Sequence, residues 1–196
     1  GNIDLELIQR FVSRAEFLGY DDLWVSEQIT GKLPILEATT LLGYVAALSK
    51  TIRIGTSVIV SNLRQPVQLA KSLSSLDNLS GGRLTVGLGL GTNTNMYSAY
   101  GLNREHRVSR FMEGVDIMKA LWTQSSVDFI GRYAQLEGVS MEPKPVQRPH
   151  PPLWFGARVP DAMRRAVKNG DGWMGAGSAT NEDFLKEHAE LRRILQ

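Results

Sequence analysis

Gly87, Gly89 and Gly91 stand two residues apart in the run Leu84-Thr85-Val86-Gly87-Leu88-Gly89-Leu90-Gly91-Thr92-Asn93. Residues two apart share one face of a strand, so these three leave a bare stripe that a flat ligand or a neighbouring backbone can approach closely. The stripe runs into a polar loop at the strand's carboxyl end, which is where parallel α/β proteins bind their ligands. This is not the dinucleotide fingerprint G-x-G-x-x-G. That motif has another spacing and opens directly into a helix, whereas Thr92-Asn93-Thr94-Asn95 reads as loop. Glu27 follows the short apolar segment Leu23-Trp24-Val25, and on residue type alone it is a loop carboxylate in water. Two later apolar segments end in Gly156-Ala157 and Gly175-Ala176-Gly177-Ser178. Backbone N–H groups at such ends suit a phosphate, although small residues after strands are also common turn formers.

Composition excludes several other chemistries. The 196 residues contain no cysteine, which removes disulfides, thiolate catalysis and cysteine-ligated metals together. His106, His150 and His188 are scattered, so no metal site is expected, and no G-x-S-x-G elbow supports a hydrolase. Twenty-two basic residues against 20 acidic give +2, with the charges interspersed. Neither nucleic acid nor an anionic membrane is an expected partner. No charged leader precedes an apolar core, and no apolar stretch approaches about 18 residues, so the expectation is a cytoplasmic protein without a membrane span.

The elements that must position these residues alternate. Leu5, Ile8, Val12, Ala15 and Leu18 mark an amphipathic helix stopped by Gly19, and the strand Leu23–Val25 follows. Helices at 39–48 and 65–76 precede the strands 52–60 and 84–90, and a wide apolar stripe from Val108 to Trp122 marks a long helix. Between 126 and 152 the rhythm breaks into a hairpin and a proline-rich connector. Strand 153–156, helix 161–168, strand 172–176 and helix 181–195 then resume the alternation, with Asn181, Glu182 and Asp183 suited to the last helix's start. Helix and strand in turn predict a parallel sheet wrapped in helices.

The fragments Ala15-Glu16-x-Leu18-Gly19-Tyr20-Asp21-x-Leu23-Trp24-Val25-Ser26-Glu27, Ile52-Arg53-Ile54-Gly55-Thr56, Leu76-Asp77-x-Leu79-Ser80-Gly81-Gly82-Arg83, Pro143-Lys144-Pro145-Val146-Gln147 and Asp171-Gly172-Trp173 occur in this order. Together they resemble the luciferase-like monooxygenase family, most closely its branch that uses the deazaflavin coenzyme F420. The resemblance implies one domain over 1–196, a TIM (β/α)8 barrel. The first strand and the last two units of that barrel would lie outside this chain.

The resemblance also assigns roles. Glu27 stands where an acidic residue or histidine of the family faces the reacting ring, and a carboxylate held against an apolar ring is suited to give or take a proton beside a hydride transfer. Gln28 departs from the pattern, since many deazaflavin enzymes carry a histidine there. Glutamine orients a substrate oxygen but cannot titrate. Thr56, Ser57 and Val58 correspond to a bulge with a non-proline cis peptide behind the ring. Gly91, Thr92 and Asn93 would meet the ring's pyrimidine edge or the ribityl chain, and Gly156, Ala157, Gly175, Ala176 and Gly177 the cofactor phosphate.

The implied activity is hydride transfer between F420 and a small organic substrate. The alternatives are an FMN-dependent monooxygenase fed by a separate flavin reductase, and a non-catalytic flavin-binding protein. Ser26-Glu27-Gln28 in place of luciferase's paired histidines tilts the choice towards F420. A homodimer through the helices beside the early strands is the family's common assembly.

Overall fold

The computed structural model describes residues 3–91, 96–175 and 180–196. Helix α1 (Leu5–Phe17) leads to strand β1 (Asp22–Val25), and α2 (Ala38–Leu48) to β2 (Arg53–Thr56) and β3 (Ile59–Val60). A 3-10 turn at Ser61–Leu63 and helix α3 (Pro66–Leu79) precede β4 (Leu84–Gly89). The short α4 (Met96–Ala99), the long α5 (Arg107–Thr123) and the antiparallel pair β5 (Val127–Ile130) and β6 (Gln135–Val139) follow. Last come β7 (Leu153–Gly156), α6 (Pro160–Asn169), β8 (Gly172–Met174) and α7 (Asn181–Leu195).

The strands pair in parallel in the order β1-β2-β4-β7-β8, with β3 also on β4. This is the βα succession of a (β/α)8 barrel, with β5 and β6 forming a separate hairpin. Alternate strand residues divide between two faces. Ile54, Leu84, Val86, Leu88, Leu153 and Phe155 pack with α2, α3 and α5 in the main core. On the opposite face the Trp24 and Trp154 rings meet at 5.3 Å. Gly55 and Gly172 make room for them, since a Cβ on either would lie 2.3 and 2.6 Å from the respective indole. Among the described residues no helix is long and apolar enough to cross a membrane.

Several boundaries differ from the sequence expectation. The strand read as continuous from 52 to 60 is broken into β2 and β3, and α3 runs on to Leu79. Thr180, not Asn181, caps α7: its hydroxyl accepts the Asp183 N–H while the Asp183 carboxylate reaches back to the Thr180 N–H, a reciprocal capping box.

The amino-terminal ends of the strands are tied by polar side chains. Asp77, fully buried, accepts the N–H groups of Val146 and Gln147 and the Gln147 side-chain amide, which also donates to Leu84 O. Arg83 donates to carbonyls of Ala46, Ser49, Ile52 and Ser80, closing the end of α2. Asp171 accepts the Leu153 N–H at 2.8 Å.

Glu16 binds the loop before β2 through the N–H groups of Thr51 and Lys50 and the Thr51 hydroxyl. These bonds hold its pKa down from 4.5 to about 2. A depressed carboxylate stabilises the fold above its unfolded pKa and loses that contribution as pH falls through the folded one. Stability should therefore decline between about pH 4.5 and pH 2. Urea midpoints measured across that window should fall less steeply for Glu16→Gln, and identical slopes would reject the assignment.

Candidate active site

The break between β2 and β3 is a bulge. Ile54 and Gly55 pair with Leu84 and Thr85, whereas Ile59 and Val60 pair with Leu88 and Gly89, so the first strand carries one residue more than its partner between the two registers. The Ser57–Val58 peptide inside it is cis. Thr56, fully buried, takes over the broken ladder: its hydroxyl donates to Gly87 O at 2.8 Å and accepts the Gly87 N–H at 2.9 Å. The bulge also accounts for the bare stripe on β4. A Cβ on Gly87 would lie 1.9 Å from Thr56 O, and one on Gly89 would lie 2.5 Å from Val58 Cγ2. Of the two sequence readings of the stripe, close approach of a neighbouring backbone holds at Gly87, whereas Gly89 and Gly91 lie on a cavity wall.

Two contiguous cavities open at the carboxyl ends of the strands. One, of about 360 Å³, is walled by Ser57, Val58, Gly91, Gly156, Ala157 and Gly175 among others. The second, of about 390 Å³, is walled by Glu27, Gln28, Thr30 and Met96 and shares Ser57, Val58 and Gly91 with the first. Small residues at three strand ends thus face one mouth, with a carboxylate and an amide on its far side.

Glu27 is not a loop carboxylate in water. Its side chain is 2% exposed, one oxygen accepts the Val60 N–H at 2.7 Å, and the other pairs with the Arg64 guanidinium. Arg64 also reaches Glu37 at 2.8 Å. Glu37 caps α2, and hydrogen bonds from Thr40 and Thr39 outweigh its partial desolvation and hold its pKa at about 2. The network therefore clamps the β1–α2 connection onto the residue following the bulge and onto the lead-in to α3. Gln28 lines the second cavity, and its Oε1 is buried with no protein partner.

Glu27, Gln28, Ser57, Val58, Gly91, Gly156, Ala157 and Gly175 are thus brought together. Thr56 lies behind the mouth, its hydroxyl engaged by Gly87. Thr92, Asn93, Ala176 and Gly177 fall outside the described residues. Sequence reasoning missed Arg64 and Glu37, because the pairing joins Arg64 to a carboxylate 37 residues earlier. No local pattern marked Glu37 either, since glutamate is not among the preferred N-cap residues.

The sequence profile of the luciferase-like monooxygenase family matches residues 1–194. The chain belongs to this family. Among luciferase-like relatives it is 30% identical over 197 residues to an F420-dependent glucose-6-phosphate dehydrogenase of Amycolatopsis mediterranei, covering 92% of this chain and 58% of that one. It is 28% identical over 155 residues to the oxygenase component of a flavin-dependent trigonelline monooxygenase of Acinetobacter baylyi, covering 78% and 43%. The solved structure of monooxygenase RslO1 from Streptomyces bottropensis superposes with a TM-score of 0.86 at 29% identity, covering 96% of this chain and 59% of that one. The chain thus spans about half the length of the relatives it matches.

Proposed function

We propose that the protein is an oxidoreductase that binds coenzyme F420 at the strand-end mouth and transfers hydride between it and a small organic substrate. The observation that carries this reading is the convergence of Glu27, Gln28, the Ser57–Val58 bulge and the small strand ends on contiguous cavities. The fit to a flat cofactor rests on the same geometry: small residues at three strand ends, and an unpartnered Gln28 Oε1 suited to an N–H or O–H donor. Ser57, Val58 and Gly91 would back the ring, and Gly156, Ala157 and Gly175 would offer backbone groups to the polar tail. When bound, the deazaflavin supplies the hydride acceptor or donor. Hydride loss from a substrate carbon is matched by proton loss from its oxygen; Glu27 would take that proton and Gln28 would orient the oxygen. An F420-dependent relative matched over most of this chain supports the choice of cofactor.

FMN is the competing cofactor, favoured by the flavin-dependent relative, and a separate reductase would then be a partner. Fluorescence titration of the intact protein with F420 and with FMN in one buffer separates the two. Saturable binding of F420 alone is expected; preference for FMN moves the reading to a two-component monooxygenase, and binding of neither rejects both. Glu27→Gln should lower turnover about 10²–10⁴-fold with little change in cofactor affinity. Unchanged turnover would remove Glu27 from the chemistry, and absence of turnover in the unsubstituted protein would favour a non-catalytic flavin binder.

We propose also that the intact protein is a homodimer. Leu7 and Phe11 on α1 and Leu18 just after it are exposed apolar residues, Phe11 being 61% exposed. A monomer by light scattering at micromolar concentration would reject this.

A further inference from the structure

We infer that a second small-molecule site lies beside the barrel, between the amino-terminal halves of α3 and α5, and that it takes a small, mostly apolar molecule carrying one hydroxyl group. A cavity of about 290 Å³ occupies this place, and none of its wall residues is shared with the strand-end cavities. Leu69, Leu102, Phe111, Ile117 and Met118 make it largely apolar. Its polar end is the 3-10 turn, where Ser61 is 8% exposed and Asn62 4% exposed.

Three polar atoms of these wall residues lack a protein partner: Ser61 Oγ, Asn62 Oδ1 and Arg64 Nε. The Asn62 amide is oriented by its neighbours. Its nitrogen donates to the Tyr97 hydroxyl, which in turn donates to Leu90 O at 2.8 Å, so the free atom is the carbonyl acceptor. Arg64 Nε is a donor, its terminal nitrogen being held by Glu27 and Glu37. An acceptor and a donor without protein partners, on neighbouring residues of the polar end, are the two groups a ligand hydroxyl would pair with, since it both donates and accepts. Bulk anionic charge is not what the walls select, because Arg64 already faces two carboxylates and the Glu113 carboxylate is saturated by the N–H groups of Arg132, Tyr133 and Ala134.

Gly114 supplies an independent sign. It lies in the interior of the 17-residue α5, where glycine is less favourable than alanine. Packing does not require it, since an added Cβ would meet only Pro66 Cβ at 3.7 Å, an ordinary contact. The missing side chain enlarges the cavity instead. The site also flanks β4, in the middle of the sheet order, away from the β1 and β8 edges where further barrel strands would add.

The test is titration of the intact protein with 4-fluorophenol followed by ¹⁹F NMR, with fluorobenzene as the hydroxyl-free comparison. Saturable binding of the phenol is expected, at least several-fold tighter than fluorobenzene. Gly114→Leu, which fills the cavity, should weaken it about tenfold or more, while F420 or FMN titrates as before. Gly114→Ala, which the 3.7 Å clearance accommodates, should fold normally and weaken the phenol less. Equal affinity in Gly114→Leu, displacement of the phenol by the cofactor, or a crystal soak showing the cavity filled by ordered waters only or by another part of the intact chain would overturn the proposal.

Discussion

Arg64→Met is expected to lower stability by about 3–5 kcal/mol, the cost of leaving a buried charge without its partner. The size of the effect follows from the asymmetry of the pair. Glu27 is 2% exposed, and without Arg64 it retains the Val60 N–H and no counter-charge. Glu37, the other carboxylate on Arg64, is 40% exposed and keeps its hydrogen bonds from Thr39 and Thr40, so it contributes little to the loss. Pairing Arg64→Met with Glu27→Gln should therefore recover most of the stability, because a neutral amide still accepts the Val60 N–H while the orphaned charge is gone. Urea denaturation of the two single variants and the double variant measures this as a coupling. A loss under about 1 kcal/mol for Arg64→Met would place the pair among solvent-screened surface bridges. The same variants bear on function, since Arg64 holds the one carboxylate on the cavity wall.

The alternation of helix and strand was legible because each element carries its own period, 3.6 for the stripe on α5 and 2 for Leu84, Val86 and Leu88. The hairpin and the proline-rich connector were legible for the same local reasons. What the sequence fragments of the resemblance encode is another matter. Glu16, Asp77, Arg83, Gln147 and Asp171 all prove to tie the amino-terminal ends of strands together, on the face opposite the mouth. In a (β/α)8 fold that end serves stability and the carboxyl end serves ligands. The residues that made the family recognisable are therefore mostly those that hold the scaffold, and they speak less directly about cofactor or substrate.

The site itself was only half legible. Glu27 could be placed after a strand, but whether it sits in water or in an ion pair depends on Arg64, which no local pattern links to it. The glycine stripe was read as an open face for a ligand or a backbone. At Gly87 the choice rests on the register on both sides of the bulge, a long-range fact that strand propensity does not carry. Thr56 shows the same limit. As a β-branched residue at a strand end it suits either a buried ladder or a ligand contact, and only the geometry of Gly87 separates the two.

Thr56→Val should for that reason be among the most damaging isosteric changes in the chain. Val86 gives its N–H to Pro152 O, on the β7 side of β4, so the Gly87 peptide groups turn the other way, towards the bulged strand. The extra residue in that strand removes their ladder partners, and the Thr56 hydroxyl satisfies both groups at once. Valine keeps the shape and loses both bonds. A buried N–H and a buried carbonyl would be left unpaired, at about 1–3 kcal/mol each. Thr56→Ser is the control, since it keeps the hydroxyl and forfeits one methyl worth about 0.8 kcal/mol. Serine should therefore unfold near the parent midpoint in urea, and valine well below it; equal midpoints would mean that the bulge is held by packing alone. A functional effect should follow the same order. Ser57 and Val58, the next two residues, wall both strand-end cavities, so cofactor affinity should fall in Thr56→Val and persist in Thr56→Ser although neither change touches a cavity wall.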